Sequence, residues 1–401
     1  MTDFLNVFAG WLIDGTGGHI RENVLLNVQN GQIASIKERQ DYDPNVPDIE
    51  DLSHCTILPG LIDSHVHVFM SGTSNPEIRK HQLNAPFRDM KKVISKHLFQ
   101  QLSHGIVAVR DGGDYAGHAL RYKKECLSSE NLPIFLMSAD KAWRAPGRYG
   151  KLIGRPPEDG ISLSQSIAEV NEGRDHIKIV NSGLNSLTTF GKETLPQFSA
   201  DQLKEAVRTA DDLGLRIMVH ANGDLPVKHA IEAGCHSIEH GFFMGKDNLM
   251  KLADRGIIWV PTAFTMKAYC DSLDIDSKEK DVSRKNLDHQ LDQIAMAMKY
   301  GVSIAAGTDC GSLGVHHGSA LREELGLLMQ AGMSLEMAVQ CATLNGAKAL
   351  GLENYFGKVS PGMPATFIAV DSDPPSLFDA LHKPVKIFTQ GREWKPAVKE
   401  L

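Results

Sequence analysis

Between Leu61 and Thr308 the chain repeats one alternation, a short apolar run followed by an amphipathic stretch with helical spacing. That alternation implies parallel strands joined by crossover helices, because parallel neighbours cannot be joined by a tight turn. Eight runs can be placed: Leu61 to Val68, Ile106 to Arg110, Pro133 to Ser138, Ile177 to Val180, Arg216 to His220, Ser237 to His240, Ile257 to Pro261 and Ser303 to Thr308. The intervening helices carry their own punctuation. Ser199 and Gln202 make a capping box ahead of Leu203, Ala206, Val207 and Ala210, and Gly234 stops a helix that carries Val227, Ala230 and Ile231. Eight such units predict an α/β chain built on a (β/α)8 TIM barrel over 58–356, with its active site at the C-terminal ends of the strands.

The two ends have a different texture. Asn6 to Ile13, Asn23 to Val28 and Ile33 to Ile36 read as strands, with Asn30-Gly31 as a hairpin turn, and Thr366 to Val370 and Val385 to Thr389 read the same way. We expect residues 1–57 and 357–401 to form one small β-sandwich domain, which fits 401 residues as one large domain with an attachment. The formal net charge of -7, without a run of Lys and Arg, argues against a nucleic-acid partner. The six cysteines are widely separated and outline neither a zinc knuckle nor a disulfide framework, as for reduced thiols. With no basic segment ahead of the first apolar stretch and no apolar run of roughly 18 residues, a cytoplasmic protein with no membrane span is expected.

Ligand-type side chains concentrate at the predicted strand ends. His65 and His67 stand at period two, on one face of the first strand. Alone, that pair reads equally well as polar residues closing a strand. Lys178 lies within Ile177-Lys178-Ile179-Val180, His220 ends the fifth strand, His240 ends the sixth, and Asp309 follows the eighth. A lysine between Ile residues is costly as a cation and must be neutralised, paired or modified. By contrast, His81, His97, His104, His118, His229 and His289 fall in helical or loop stretches and read as surface or capping residues. Asp63 reads either as an outer partner of a metal-binding histidine or as a strand-end acid.

Several motifs recur in an order that is specific: Leu58-Pro59-Gly60-Leu61-Ile62-Asp63-Ser64-His65-Val66-His67, then Ile238-Glu239-His240-Gly241, Gly307-Thr308-Asp309, Thr343-Leu344-Asn345-Gly346-Ala347-Lys348-Ala349-Leu350-Gly351-Leu352 and Gly357-Lys358-Val359. In these the chain resembles the amidohydrolase superfamily, in the binuclear-metal branch that includes prolidase-like and imidazolonepropionase-related enzymes. The resemblance implies two divalent metal ions, zinc foremost, and a carbamate on Lys178 that bridges them. One metal would take His65, His67, Lys178 and Asp309, the other Lys178, His220 and His240, with a bridging hydroxide between them. Asp309 would be the catalytic residue, taking the hydroxide proton and passing it to the departing amine. The implied reaction is hydrolysis of an amide C–N bond, in a peptide-like substrate or an N-acyl amino acid.

Substrate contacts should lie in loops after the strands. Arg144 and Arg148, with Tyr149, belong to an Arg-rich third loop whose guanidinium forks suit a carboxylate-bearing small-molecule amide. Phe242, Phe243, Met244, Phe264, Met266 and Tyr269 are candidates for an apolar pocket. The prolidase-like enzymes follow their lysine with Ser-Gly-Gly, whereas this chain has Asn181-Ser182-Gly183-Leu184-Asn185. Ring opening of a cyclic amide is therefore the alternative, as in imidazolonepropionase-like enzymes. A deaminase and a non-catalytic scaffold both rank lower, since Asp224 stands where deaminases carry glutamate and no ligand is missing. The sequence does not fix the oligomeric state and is compatible with a homo-oligomer.

Overall fold

The computed structural model describes residues 4–38, 49–169 and 173–395. Its first strands, β1 (Phe4–Leu12), β2 (Arg21–Gln29) and β3 (Gln32–Glu38), form an antiparallel meander. The hairpin between β2 and β3 turns at Asn30 and Gly31, whose φ angles of 52° and 78° are the left-handed pair that this turn requires. A long strand that the sequence pattern did not single out, β4 (Ile49–Pro59), pairs in parallel with β1.

Only Gly60 separates β4 from β5 (Leu61–Val66), the first barrel strand, which pairs with β6 (Ile106–Asp111) and through it with β7 (Phe135–Ser138). Two short strands, β8 (Ala142–Trp143) and β9 (Gly154–Arg155), occupy the third loop, and Trp143 pairs with Ile179 of β10 (His176–Val180). The ladder continues in parallel through β11 (Arg216–Ala221), β12 (Ser237–His240) and β13 (Ile258–Val260). The expected eighth strand, Ser303 to Thr308, does not form a regular strand. It joins β13 to β5 through single contacts: Ala305 N donates to Trp259 O at 2.9 Å, Ser64 N to Ala306 O at 3.0 Å, and Asp309 N to His65 O at 2.7 Å. The left-handed backbone at Asp309, φ 56°, ends any extended course there.

The helices follow their sequence signals. Ala200–Asp212 begins with the Ser199/Gln202 capping box and buries Leu203, Ala206, Val207 and Ala210 against the barrel. Asp224–Ala233 ends at Gly234 in the left-handed conformation. His97 departs from expectation: in helix Phe87–Ser103 it is buried, its ring stacked on His317 at 4.1 Å, because that helix turns the His97 face inward with Ile94, Leu98 and Gln101.

The C-terminal strands β14 (Phe367–Val370), β15 (Lys386–Thr389) and β16 (Arg392–Trp394) return to the N-terminal ones, giving one seven-stranded sheet in the order β16-β15-β14-β4-β1-β2-β3. The sheet curls, since Gln32 at the start of β3 bridges Pro364 just ahead of β14. Its two arms thus enclose one core, with Val7, Leu26, Ile57, Phe367 and Phe388. The architecture is a TIM-type barrel with a small sheet domain drawn from both ends of the chain. Among the described residues, no helix is long and apolar enough to cross a membrane.

Candidate metal centre and active site

At the C-terminal end of the barrel strands, the six sequence-predicted ligand residues face one another. The His65 and His67 rings lie 5.5 Å apart, His65 and His240 5.0 Å, and His220 and His240 4.5 Å. Asp309 Oδ1 reaches His67 Nε2 at 3.4 Å and His65 Nε2 at 3.6 Å, and Lys178 Nζ lies 3.4 Å from His65 Nε2. The donor atoms of His65, His67 and Asp309 all fall within 4.8 Å of one another, a group able to hold a metal ion.

Three of the four histidines have one ring nitrogen hydrogen-bonded behind the centre, which leaves the other for it. His67 Nδ1 lies 2.9 Å from Gly113 O and His220 Nε2 3.0 Å from Gly183 O; a carbonyl only accepts, so those nitrogens carry the protons and their ring partners are bare. His240 Nδ1 contacts Thr262 Oγ1 at 2.7 Å. This is the arrangement by which metal-binding histidines are oriented. Burial holds the rings neutral, with His67 brought down to about 4, His220 to about 3, and His65 and His240 well below the usual imidazole range; the Lys178 charge adds to the effect.

Lys178 is 1% exposed, and desolvation lowers its ammonium to about 8 although Glu239 and Asp309 oppose the shift. Desolvation raises the Asp309 carboxyl to about 7, against the pull of Lys178. Neutral imidazoles, an amine that loses its proton more readily than an ordinary lysine, and a carboxyl group form a nitrogen- and oxygen-donor set suited to a divalent metal. Such a set has little use as packing.

Residues that the sequence reading passed over brace this centre. Glu239 brings Oε2 to 3.0 Å from His65 Nδ1 and pairs with Arg110. Asp111 accepts from Val68 N and Gly113 N, each at 2.9 Å, fixing the loops after β5 and β6. Ser312 Oγ donates to Asp309 Oδ2 at 3.0 Å. Asp63 does not reach a histidine ring. It accepts from Thr308 Oγ1 at 2.6 Å and Thr308 N at 3.0 Å, and so ties the approach to Asp309 to β5.

A cavity of about 440 Å³ opens over the six residues. Arg79, Arg148 and Lys151 supply its cations, Tyr149 and Tyr269 its phenols, and Phe69, Met70, Phe242 and Met266 part of its apolar wall. Arg148 and Tyr149 thus line the site, the Tyr149 ring 5.4 Å from that of His220. Arg144 does not line it: its guanidinium turns back to Ala145 O at 3.1 Å and Arg148 O at 3.5 Å, within its own loop. Phe243 packs away from the cavity against His289, at 4.6 Å.

Comparisons with known proteins relate the chain's sequence and fold to others. An uncharacterised protein of Mycobacterium tuberculosis is 26% identical over 345 residues, 85% of each chain. The ochratoxinase of Aspergillus niger is 23% identical over 402 aligned residues, covering 92% of this chain and 81% of its own. A solved Xaa-Pro dipeptidase, with methionine bound in its active site, superposes with a TM-score of 0.83 at 25% identity, over 98% of this chain and 100% of that one. The amidohydrolase family model matches residues 56–394, from the end of β4 through every strand of the barrel to β16. With its sequence matched over that span, most of its length, the chain belongs to the amidohydrolase family.

Proposed function

We propose that this amidohydrolase is a binuclear metal-dependent enzyme that hydrolyses the C–N bond of a small carboxylate-bearing amide, peptide-like or an N-acyl amino acid. The observation that carries the reading is Lys178: a buried amine whose hydrogen-bond neighbour is an imidazole nitrogen, at the convergence of four neutral histidines and a carboxylate. An amine shifted to about 8 is neutral in about a tenth of molecules at pH 7, far more than an ordinary lysine. That neutral amine can add to carbon dioxide, forming a C–N bond and releasing one proton, to leave a carbamate anion. His65, His67, Lys178 and Asp309 would hold one divalent ion, zinc foremost, and Lys178, His220 and His240 the other.

When bound, such ions supply Lewis acidity toward a carbonyl oxygen and bring the pKa of a shared water toward neutrality. The remaining work belongs to the chain. Asp309, with Oδ2 held by Ser312 and its carboxyl raised to about 7, is suited to accept the water proton and return it to the departing nitrogen. Arg148 and Tyr149, with Arg79 and Lys151, would hold the substrate carboxylate, while Phe69, Met70, Phe242 and Met266 enclose an apolar side chain and exclude water.

The test joins metal analysis to a substrate panel. Reconstituted protein should bind two metals per chain, and should cleave N-acyl amino acids or dipeptides in preference to carboxylate-free amides. Activity confined to cyclic amides would favour the ring-opening alternative, and activity confined to deamination would overturn the reading. The Lys178→Ala variant should lose metal and turnover together and recover part of both with added short-chain carboxylates. Wild-type activity in the unsupplemented variant would exclude the carbamate bridge.

A further inference from the structure

The inside of the barrel holds an ion pair where side chains are ordinarily apolar. Arg110 on β6 is 2% exposed and Glu239 on β12 is fully buried. The guanidinium is spread over four partners on three elements: Nε donates to Ser64 O at 2.8 Å, Nη1 to Ser237 Oγ at 3.0 Å and to Ala349 O at 3.3 Å, and Nη2 to Glu239 Oε1 at 2.9 Å. Ser237 Oγ also donates to Glu239 Oε1, at 2.5 Å. All of this anchors one carboxylate oxygen. The other, Oε2, has no hydrogen bond of regular geometry, and neither has His65 Nδ1; the two lie 3.0 Å apart in a bent approach.

Two bare acceptors at that separation would repel, so the arrangement favours a proton on His65 Nδ1. The lone pair then sits on Nε2, which faces Lys178 Nζ at 3.4 Å and Asp309 Oδ1 at 3.6 Å. An ion pair needed only for packing could be satisfied through Oε1 alone, and an apolar pair of the same volume would often serve as well. The orientation of Oε2 toward His65 is what packing does not require. The histidine acceptors at His67 and His220 are neutral carbonyls, whereas here the acceptor is anionic and makes the imidazole a stronger donor to a cation.

We infer that Glu239, anchored by Arg110 and Ser237, is a positioning residue that sets the tautomer and ring orientation of His65 and thereby the affinity of the metal centre. The inference rests on the metal-binding reading above. It concerns the centre itself and not the substrate, so it is tested without turnover. Zinc affinity is measured by chelator competition for wild type, Glu239→Gln and Ser237→Ala, with far-UV circular dichroism and melting as controls, and the histidine ¹⁵N spectrum of metal-free wild type is recorded.

A glutamine keeps the volume but cannot accept from both Arg110 Nη2 and His65 Nδ1 without turning its amide donors toward one of them. Glu239→Gln is therefore expected to weaken zinc binding roughly 10- to 100-fold with a native far-UV spectrum. Ser237→Ala should weaken it less, in the same direction, and His65 in wild type should be the Nδ1–H tautomer. Glu239→Gln that melts lower yet binds zinc as wild type does would overturn the inference alone. Should that variant fail to fold, an Nε2–H tautomer at His65 in wild type overturns it equally. Wild type that takes up no zinc would overturn the metal reading and this inference together.

Discussion

His240 and Asp309 occupy left-handed backbone, with φ of 68° and 56°, and Thr262 beside them has φ of 48°. Non-glycine residues adopt that region at a cost and cluster where the fold needs a side chain aimed against its local preference. Gly112 shows the same demand by its lack of a side chain: a Cβ there would meet His67 Cε1 at 2.7 Å and Nε2 at 3.1 Å. Gly112→Ala is expected to push the His67 ring off the centre and weaken zinc binding roughly tenfold or more, with an unchanged far-UV spectrum. Chelator competition measures it, and wild-type affinity would show that the ring has room to yield. His65, His67, Lys178, His220 and His240 could be read from the sequence because imidazoles and an amine are anomalous in apolar strands. Arg110 and Glu239 could not, because Ala108-Val109-Arg110-Asp111 reads as a strand reaching solvent and Glu239 as the neighbour of a ligand. Only the folded barrel brings those two charges together.

Elements whose signals are local are those the sequence defines best. The capping box of helix Ala200–Asp212 satisfies two otherwise orphaned backbone donors, with Ser199 Oγ accepting from Gln202 N at 3.2 Å and Gln202 Oε1 from Ser199 N at 2.9 Å. Ser199→Ala should lower the unfolding free energy by about 1 kcal/mol, read from urea denaturation, and leave zinc affinity unchanged because the hydrogen bonds of Ser199 go to Gln202 and Leu203 and to no ligand residue. A loss of metal affinity would instead tie this cap to the loop that holds His220 through Gly183. Strand β4 was hidden for a physical reason. Between the pairs Ala9–Leu52 and Trp11–Thr56 its register shifts, so Ser53, His54 and Cys55 stand opposite Gly10 and the alternation of apolar and polar residues is broken. The eighth barrel segment failed in the opposite way: Ser303 to Thr308 reads as a strand, but Gly307 packs against His65 and Val260, and the chain must turn at Asp309 to deliver its carboxylate.

Taken as a whole, the molecule buries many imidazoles, and not all of them serve the metal centre. His97 Nδ1 contacts Val68 O and His317 Nε2 contacts Met70 O, each at 2.8 Å, so the stacked pair grips the carbonyls on either side of Phe69, a wall of the cavity. Gln101 reaches His317 Nδ1 at 3.3 Å from the same helix as His97. Desolvation lowers His97 to about 4 and His317 well below the usual range, with the neighbouring charges of Lys96 and His316 adding to the shift. A histidine whose folded-state pKa is depressed binds a proton more readily when unfolded. Stability is therefore full above the unfolded value of about 6.5 and falls as pH drops from there toward 4. One such site contributes a slope of about 1.4 kcal/mol per pH unit across that window. In chelator-treated protein the ligand histidines titrate alike in wild type and in His97→Asn, whose amide still donates to Val68 O. The variant should lose stability on acidification less steeply than wild type, by about that slope, in urea titrations between pH 6.5 and 4. Equal slopes would mean that His97 is protonated in the folded chain and that the clasp on Val68 and Met70 does not depend on neutral rings.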